Sequence, residues 1–186
     1  MANVDRPRGL EPVGPILSAR EYKCVSAYAQ DLFIGDPVIA IATGRDIQIA
    51  VPGSTNILLG AIIAIYDANK VPLAYWDSGH VGEGYIVVAD DPDQIFVCQG
   101  DGDSSYLDES DCNGNVALIS GGGSTVTNRS TWELDDSATA GTAPTEQIRL
   151  IRPQDRPDNT IAIANCDWLC RINYHQRLQG AVGAGV

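Results

Sequence analysis

Apolar residues in this chain come in short runs, and most runs alternate with polar positions instead of repeating at helical spacing. Ile47, Ile49 and Val51 interleave with Asp46, Gln48 and Ala50, as a half-buried strand requires. Val38 to Ala42 precedes them across Thr43-Gly44-Arg45-Asp46, a hairpin signal. Leu32 to Pro37 reads as a short strand running into a turn. Ile57 to Tyr66 carries four isoleucines, with Gly60 inside and Asp67-Ala68-Asn69-Lys70 after it, which favours a buried strand over a helix. Gly84 to Ala89 and Gln94 to Gln99 are two further strands, joined by a turn at Asp90-Asp91-Pro92-Asp93. Val116 to Ile119, Gln147 to Ile151 and Trp168 to His175 complete the set. Roughly eight to ten short strands and no long amphipathic helix predict an all-β fold, a single β-barrel or β-sandwich.

The ends differ from the middle. Residues 1–23 hold Pro7, Pro12, Pro15, Gly9 and Gly14 with little periodicity, which predicts an extended N-terminal arm. Leu10, Val13, Ile16 and Leu17 are too apolar for a solvated thread, so the arm is expected to dock. Residues 24–177 form the β-rich body. Residues 178–186, mostly Gly, Ala and Val, are expected to be a flexible C-terminal tail. The small polar stretch 135–145 reads as a surface loop.

Charge adds an asymmetry. Lys and Arg number 12 against 24 Asp and Glu, a formal net charge of -12. Between Lys70 and Arg129 there is no basic residue, while ten carboxylates lie there, from Asp77 and Glu83 to Glu109 and Asp111. The expectation is an acidic, solvent-facing side, with docking left to the arm and to the arginine-bearing strands from Arg149 to Arg171. Net negative charge argues against nucleic acid as a partner. The longest apolar run, Ile57 to Tyr66, is too short to span a membrane as a helix, and the first residues lack the apolar core of a secretory signal. Cys24, Cys98, Cys112, Cys166 and Cys170 are an odd, scattered set, read as reduced thiols of a protein made in a cytosol.

No catalytic motif survives inspection. Asp101-x-Asp103-x-Ser105 opens like a calcium loop, but the glycine position holds Tyr106 and the closing glutamate position holds Cys112. An irregular cation site drawing on Asp90, Asp91, Asp93, Asp101 or Asp103 is the alternative to a solvated acidic loop. Cys166-x-x-x-Cys170 is half a metal site, completed only if Cys98, Cys112, His80 or His175 converge on it; buried hydrophobes are the simpler reading. Asp77-Ser78-Gly79-His80 brings triad residue types together, but without a nucleophile elbow. Gly121-Gly122-Gly123-Ser124 lacks the lysine of a phosphate loop. The expectation is therefore no enzyme, no cofactor and no bound metal.

One resemblance runs along nearly the whole chain. The opening from Met1 to Val13, with Arg6-Pro7-Arg8-Gly9-Leu10, resembles the start of the structural cement, or capsid decoration, proteins of tailed bacteriophages. Leu32-Phe33-Ile34-Gly35-Asp36-Pro37-Val38, Val88-Ala89-Asp90-Asp91-Pro92-Asp93, Gly114-Asn115, Gly122-Gly123-Ser124-Thr125, Arg129-Ser130, Asp158-Asn159 and Trp168 to His175 follow in that family's order. The chain departs from the family in a shorter stretch between Pro15 and Tyr28 and in its cysteine content. The resemblance implies a non-catalytic virion protein, made in the bacterial host cytoplasm, that binds the outer surface of the assembled head. Its partner would be the major capsid protein, and it would act as a homo-oligomer, a trimer, holding capsomers together. Arg6, Pro7, Arg8, Leu10 and Val13 of the arm are the expected capsid contacts. The competing expectation is a β-sandwich binding module whose acidic loops take calcium or whose Tyr75, Trp76 and Tyr85 hold a glycan.

Overall fold

The computed structural model describes residues 3–24, 28–41, 45–53, 57–103, 105–137 and 140–178. The chain is all-β, and the described residues include one short 3-10 turn, at Glu109–Asp111. In chain order the strands are β1 (Glu11–Pro12), β2 (Ala19–Cys24), β3 (Pro37–Ala40), β4 (Ile47–Ile49), β5 (Gly60–Asp67), β6 (Gly84–Ala89) and β7 (Phe96–Gln99). After the 3-10 turn come β8 (Asn115–Val116), β9 (Leu118–Ile119), β10 (Gly123–Ser124), β11 (Arg129–Ser130), β12 (Glu133–Leu134), β13 (Ile148–Pro153) and β14 (Asp167–Ile172).

Two five-stranded antiparallel sheets carry the structure, ordered β1-β7-β14-β13-β8 and β2-β6-β5-β3-β4. Two short two-stranded ladders, β10-β11 and β12-β9, lie beside them. The second sheet curls until its edges touch through one parallel bridge, Lys23 to Asp46, so it approaches a barrel without closing as a ladder. Its concave side holds Tyr22, Cys24, Val38, Ile47, Ile62, Ile65, Ile86 and Val88, capped by Leu32 and Trp76. Gly84 makes that cap fit: a Cβ there would lie 2.1 Å from the Trp76 ring.

The first sheet has its own core of Phe96, Cys98, Leu150, Trp168, Cys170 and Ile172, joined by Leu10, Trp132 and Leu134. Ala50, Ala61 and Ala89 of the curled sheet's side also belong to this core. Ala61 and Ala89 are register partners, so small side chains let the two sheets approach closely there. Each large side chain buried in these clusters contributes roughly 1.5–3 kcal/mol relative to exposure.

Most expected strands are present, with local corrections. The β3-β4 hairpin pairs Val38 with Ile49, although 42–44 of its turn lie outside the described residues. Leu32 to Pro37 does not form a strand up to Ile34: Leu32 and Ile34 make only isolated bridges, to Trp76 and Arg129. Val116 to Ile119 is divided between β8 and β9, which join different ladders. The turn after β6 forms as expected, with Gln94 N–H on the Asp91 carbonyl, but it sends β6 and β7 into different sheets.

The largest correction concerns residues 1–23. Backbone with Pro and Gly extends, but an extended segment with exposed donors and acceptors also fits a free strand edge. Here the segment supplies β1 at the edge of one sheet and β2 at the edge of the other, pairing with β7 and β6 in turn. Residues 13–18 and 90–95 cross the corner side by side with equal length, so the register is the same on both sides. The arm is part of the body. Of the expected tail, Leu178 is described and exposed, and 179–186 lie outside the described residues.

Candidate functional site

The sheet-to-sheet corner is built by two buried polar side chains. Gln94 accepts the Leu17 N–H at 3.0 Å and donates to the carbonyls of Val13 and Ile95. Asp90, fully buried, accepts the Ser18 hydroxyl at 2.8 Å and the Tyr22 hydroxyl at 2.5 Å. Arg177, near the far end of the chain, donates from Nη2 to Asp90 at 2.5 Å and to Tyr22 Oη at 2.7 Å. Arg20 stands 3.7 Å from the same carboxylate. Burial and the hydrogen bond to Asp90 push the Tyr22 hydroxyl's pKa well up, so it stays a donor.

This pinned corner leaves Val13, Ile16, Leu17 and Ile95 exposed on the segments that cross it, with the Val13 N–H on the Ile95 carbonyl. Ile95 continues into an open groove of about 320 Å³ lined also by Asp93, Arg149, Ile151 and Arg171. Arg149 and Arg171 are register partners on β13 and β14, and Arg171 lies 3.6 Å from Asp93. The acidic stretch is therefore not confined to one side: Asp93 belongs to the arginine face, and Asp90 and Asp111 are buried.

The expected capsid contacts divide in two. Val13 is exposed at the corner, and Arg6 is exposed away from it, with its N–H on Gln99 Oε1. Leu10 is 0% exposed and packs in the first core, so it has no surface to offer. Pro7 is half-buried. Arg8 donates to Asp167 at 2.9 Å and faces Glu11, so its charge is used within the chain. Arg156 reaches the same Asp167 oxygen at 3.0 Å. A hydrophobic residue in a proline-rich segment reads alike whether it meets its own core or a partner; only the register to β7 distinguishes them.

A second feature is a carboxylate cluster. Gly100 bridges Leu134 in parallel, which sets residues 101–103 alongside residues 134–136. One carboxylate oxygen each from Asp101, Asp103 and Asp136 lies within 4.8 Å of the others. Asp136 is buried, its Oδ2 accepts the Gly102 N–H at 3.0 Å, and its backbone N–H donates to Asp101 Oδ1 at 3.3 Å. Burial, then the adjoining Asp101 carboxyl, pushes the Asp136 pKa up to about 8. Glu133 is raised to about 7, first by burial and then by Asp5 and Asp101. Asp103 was legible as a loop carboxylate; Asp136, thirty-odd positions on in a small polar loop, carried no local signal.

The remaining candidates do not assemble. Cys98, Cys166 and Cys170 are buried in the first core as free thiols, with pKa values raised by burial, to about 12 for Cys170 and about 11 for Cys166. The His80 ring packs on Trp76 at 4.3 Å, while Asp77 Oδ1 is taken by the Gly79 N–H. His175 is buried, accepts the Arg177 N–H at Nδ1, and is lowered in pKa mainly by burial. The expected aromatic platform is dispersed: Trp76 is buried, Tyr75 stacks on Phe33, and Lys70 covers Tyr85 at 3.2 Å. Within the glycine run, Gly123 makes room for Phe33, whose ring would lie 1.9 Å from a Cβ there, and Gly122 supplies a positive φ of 81°. An open cavity of about 670 Å³ lies beside it, lined by Tyr28, Phe33, Gln48, Val51, Thr125 and Trp132 among others. Among the described residues no helix is long and apolar enough to cross a membrane.

No protein-family model, curated protein or solved structure matches the chain.

Proposed function

We propose that this chain is a bacteriophage capsid decoration protein that binds the outer surface of the assembled head and ties neighbouring capsomers together without catalysis. The carrying observation is the corner patch: Val13, Ile16, Leu17 and Ile95 stand exposed on backbone held by Gln94 and Asp90, next to the Arg149–Arg171 groove. Exposed aliphatic side chains on an ordered segment lower the entropic cost of docking, and flanking arginines supply orientation. The order of the motifs shared with the cement family supports the same reading. In this proposal the major capsid protein is the partner, the chain is made in the host cytoplasm, and a homotrimer multiplies weak individual contacts through effective concentration.

Deleting residues 1–15 would remove Leu10 and β1, so loss of binding would report unfolding as well as lost contacts. Ile16→Asp combined with Leu17→Asp touches only exposed positions. Purified protein is mixed with phage heads that lack it, and bound copies are counted by sedimentation and electron cryomicroscopy. The proposal expects symmetric, saturable occupancy for the wild type and at least tenfold weaker binding, about 1.4 kcal/mol, for the double variant. Absence of wild-type binding, or undiminished binding by the variant, would overturn it.

A further inference from the structure

We propose that Asp101, Asp103 and Asp136 form a binding site for a hard divalent cation such as calcium. Three residues from two separate segments supply only oxygen, which suits a hard cation and not zinc or copper. Their facing oxygens span at most 4.8 Å. Within that bound all three can reach one ion at about 2.4 Å, the calcium range.

The second observation is Asp136 itself. It is 3% exposed, its Oδ1 has no hydrogen-bond partner, and its carboxyl group faces that of Asp101. Among the described residues neither Asp101 nor Asp136 has an ion pair with Lys or Arg. A buried carboxylate oxygen without a donor is costly, and a second carboxylate beside it raises the cost. Two other buried aspartates are matched by arginine, Asp90 by Arg177 and Asp167 by Arg8. Here the Gly102 N–H takes Asp136 Oδ2, and Oδ1 has no donor. The exposed Asp103 closes the open side, where water would complete the coordination.

A cation at this point would join the segment after β7 to the segment after β12, stapling the first sheet to the β12-β9 ladder. This inference is independent of capsid docking, because neither segment contributes to the corner patch.

The test is calorimetric titration of the full chain with calcium chloride after chelator treatment, with melting temperature followed in parallel. The wild type should bind one calcium ion per chain and melt higher in calcium. Asp136→Asn and Asp103→Asn should each weaken binding by about tenfold or more. Asp136→Asn should remain folded in chelator, and Asp103 is exposed, so at least one variant reads binding apart from folding. No heat and no shift at about 10 mM calcium, beyond the weakest extracellular calcium modules, would overturn the proposal. So would an equal shift in both variants, or one reproduced by sodium chloride at matched ionic strength.

Discussion

Asp90 and Asp136 are the same residue at nearly the same depth, 0% and 3% exposed, and their surroundings are opposite. Asp90 meets two arginines, a tyrosine and a serine hydroxyl, drawn from both ends of the chain. Asp136 meets one backbone N–H and another carboxylate. Asp167 follows the first pattern, with Arg8 and Arg156 on one oxygen. Asp36 lies between them, with the Phe33 N–H on Oδ2 and Oδ1 without a partner. The arginine-matched carboxylates fasten the chain termini to the body, whereas the unmatched ones store unfavourable charge that a proton or a cation can relieve.

The comparison breaks most visibly at Arg177. Replacing it in Arg177→Met leaves Asp90 buried with only the more distant Arg20, and should cost about 3 kcal/mol in urea unfolding at neutral pH. Adding Asp90→Asn should recover much of that loss. If the double variant is as unstable as the single one, Arg177 acts by packing and the contrast with Asp136 fails.

Asp36 sharpens the contrast through pH. Burial raises its pKa to about 7 from an unfolded value of 3.8, opposed in part by the Phe33 N–H and the Ser130 hydroxyl. Between these values the native state holds the proton that the unfolded chain has released. Its contribution to stability is therefore lost as pH rises from about 4 to about 7, by on the order of 4 kcal/mol. His175 has the opposite slope: its lowered pKa makes stability fall as pH drops below the unfolded value of 6.5. Asp36→Asn should gain on the wild type between about pH 4.5 and 7.5 in paired urea titrations. An unchanged difference between the two proteins would show that Asp36 does not titrate in that window.

At Asp136 the expected sign is reversed relative to Arg177. In chelator, Asp136→Asn should stabilise the chain by on the order of 1–2 kcal/mol at neutral pH, because it removes a buried acid beside Asp101. Destabilisation there would mean that the carboxylate is already satisfied, which would end the contrast with Asp90. The smallest effect belongs to Arg8. Arg8→Met should cost about 1 kcal/mol, since Arg156 still serves Asp167. A loss as large as that for Arg177→Met would make the N-terminal ion pair a principal anchor.

Much of the strand content was legible locally. Ile47 to Ile49, Gly84 to Ala89 and Ile148 to Ile151 follow alternation or apolar density that depends only on neighbouring residues. The hairpin between β3 and β4 was also legible, because its turn residues lie between its strands. The failures share one cause. Whether Leu10 meets a capsid or its own core, and whether Arg8 meets a partner or Asp167, depends on contacts across 159 positions in the second case. The acidic stretch was visible as composition, yet its division among corner, core and cluster was not.

By itself, then, the amino-acid sequence determined an acidic all-β chain of short strands, because pleat alternation, turn chemistry and charge are properties of nearby residues. Only the tertiary structure decided that residues 11–24 run in one register beside 84–97, that Arg177 neutralises Asp90, and that Asp101 and Asp136 face each other. Those outcomes depend on which strand edges pair and which buried charges find partners, and both are settled by segments far apart in the chain.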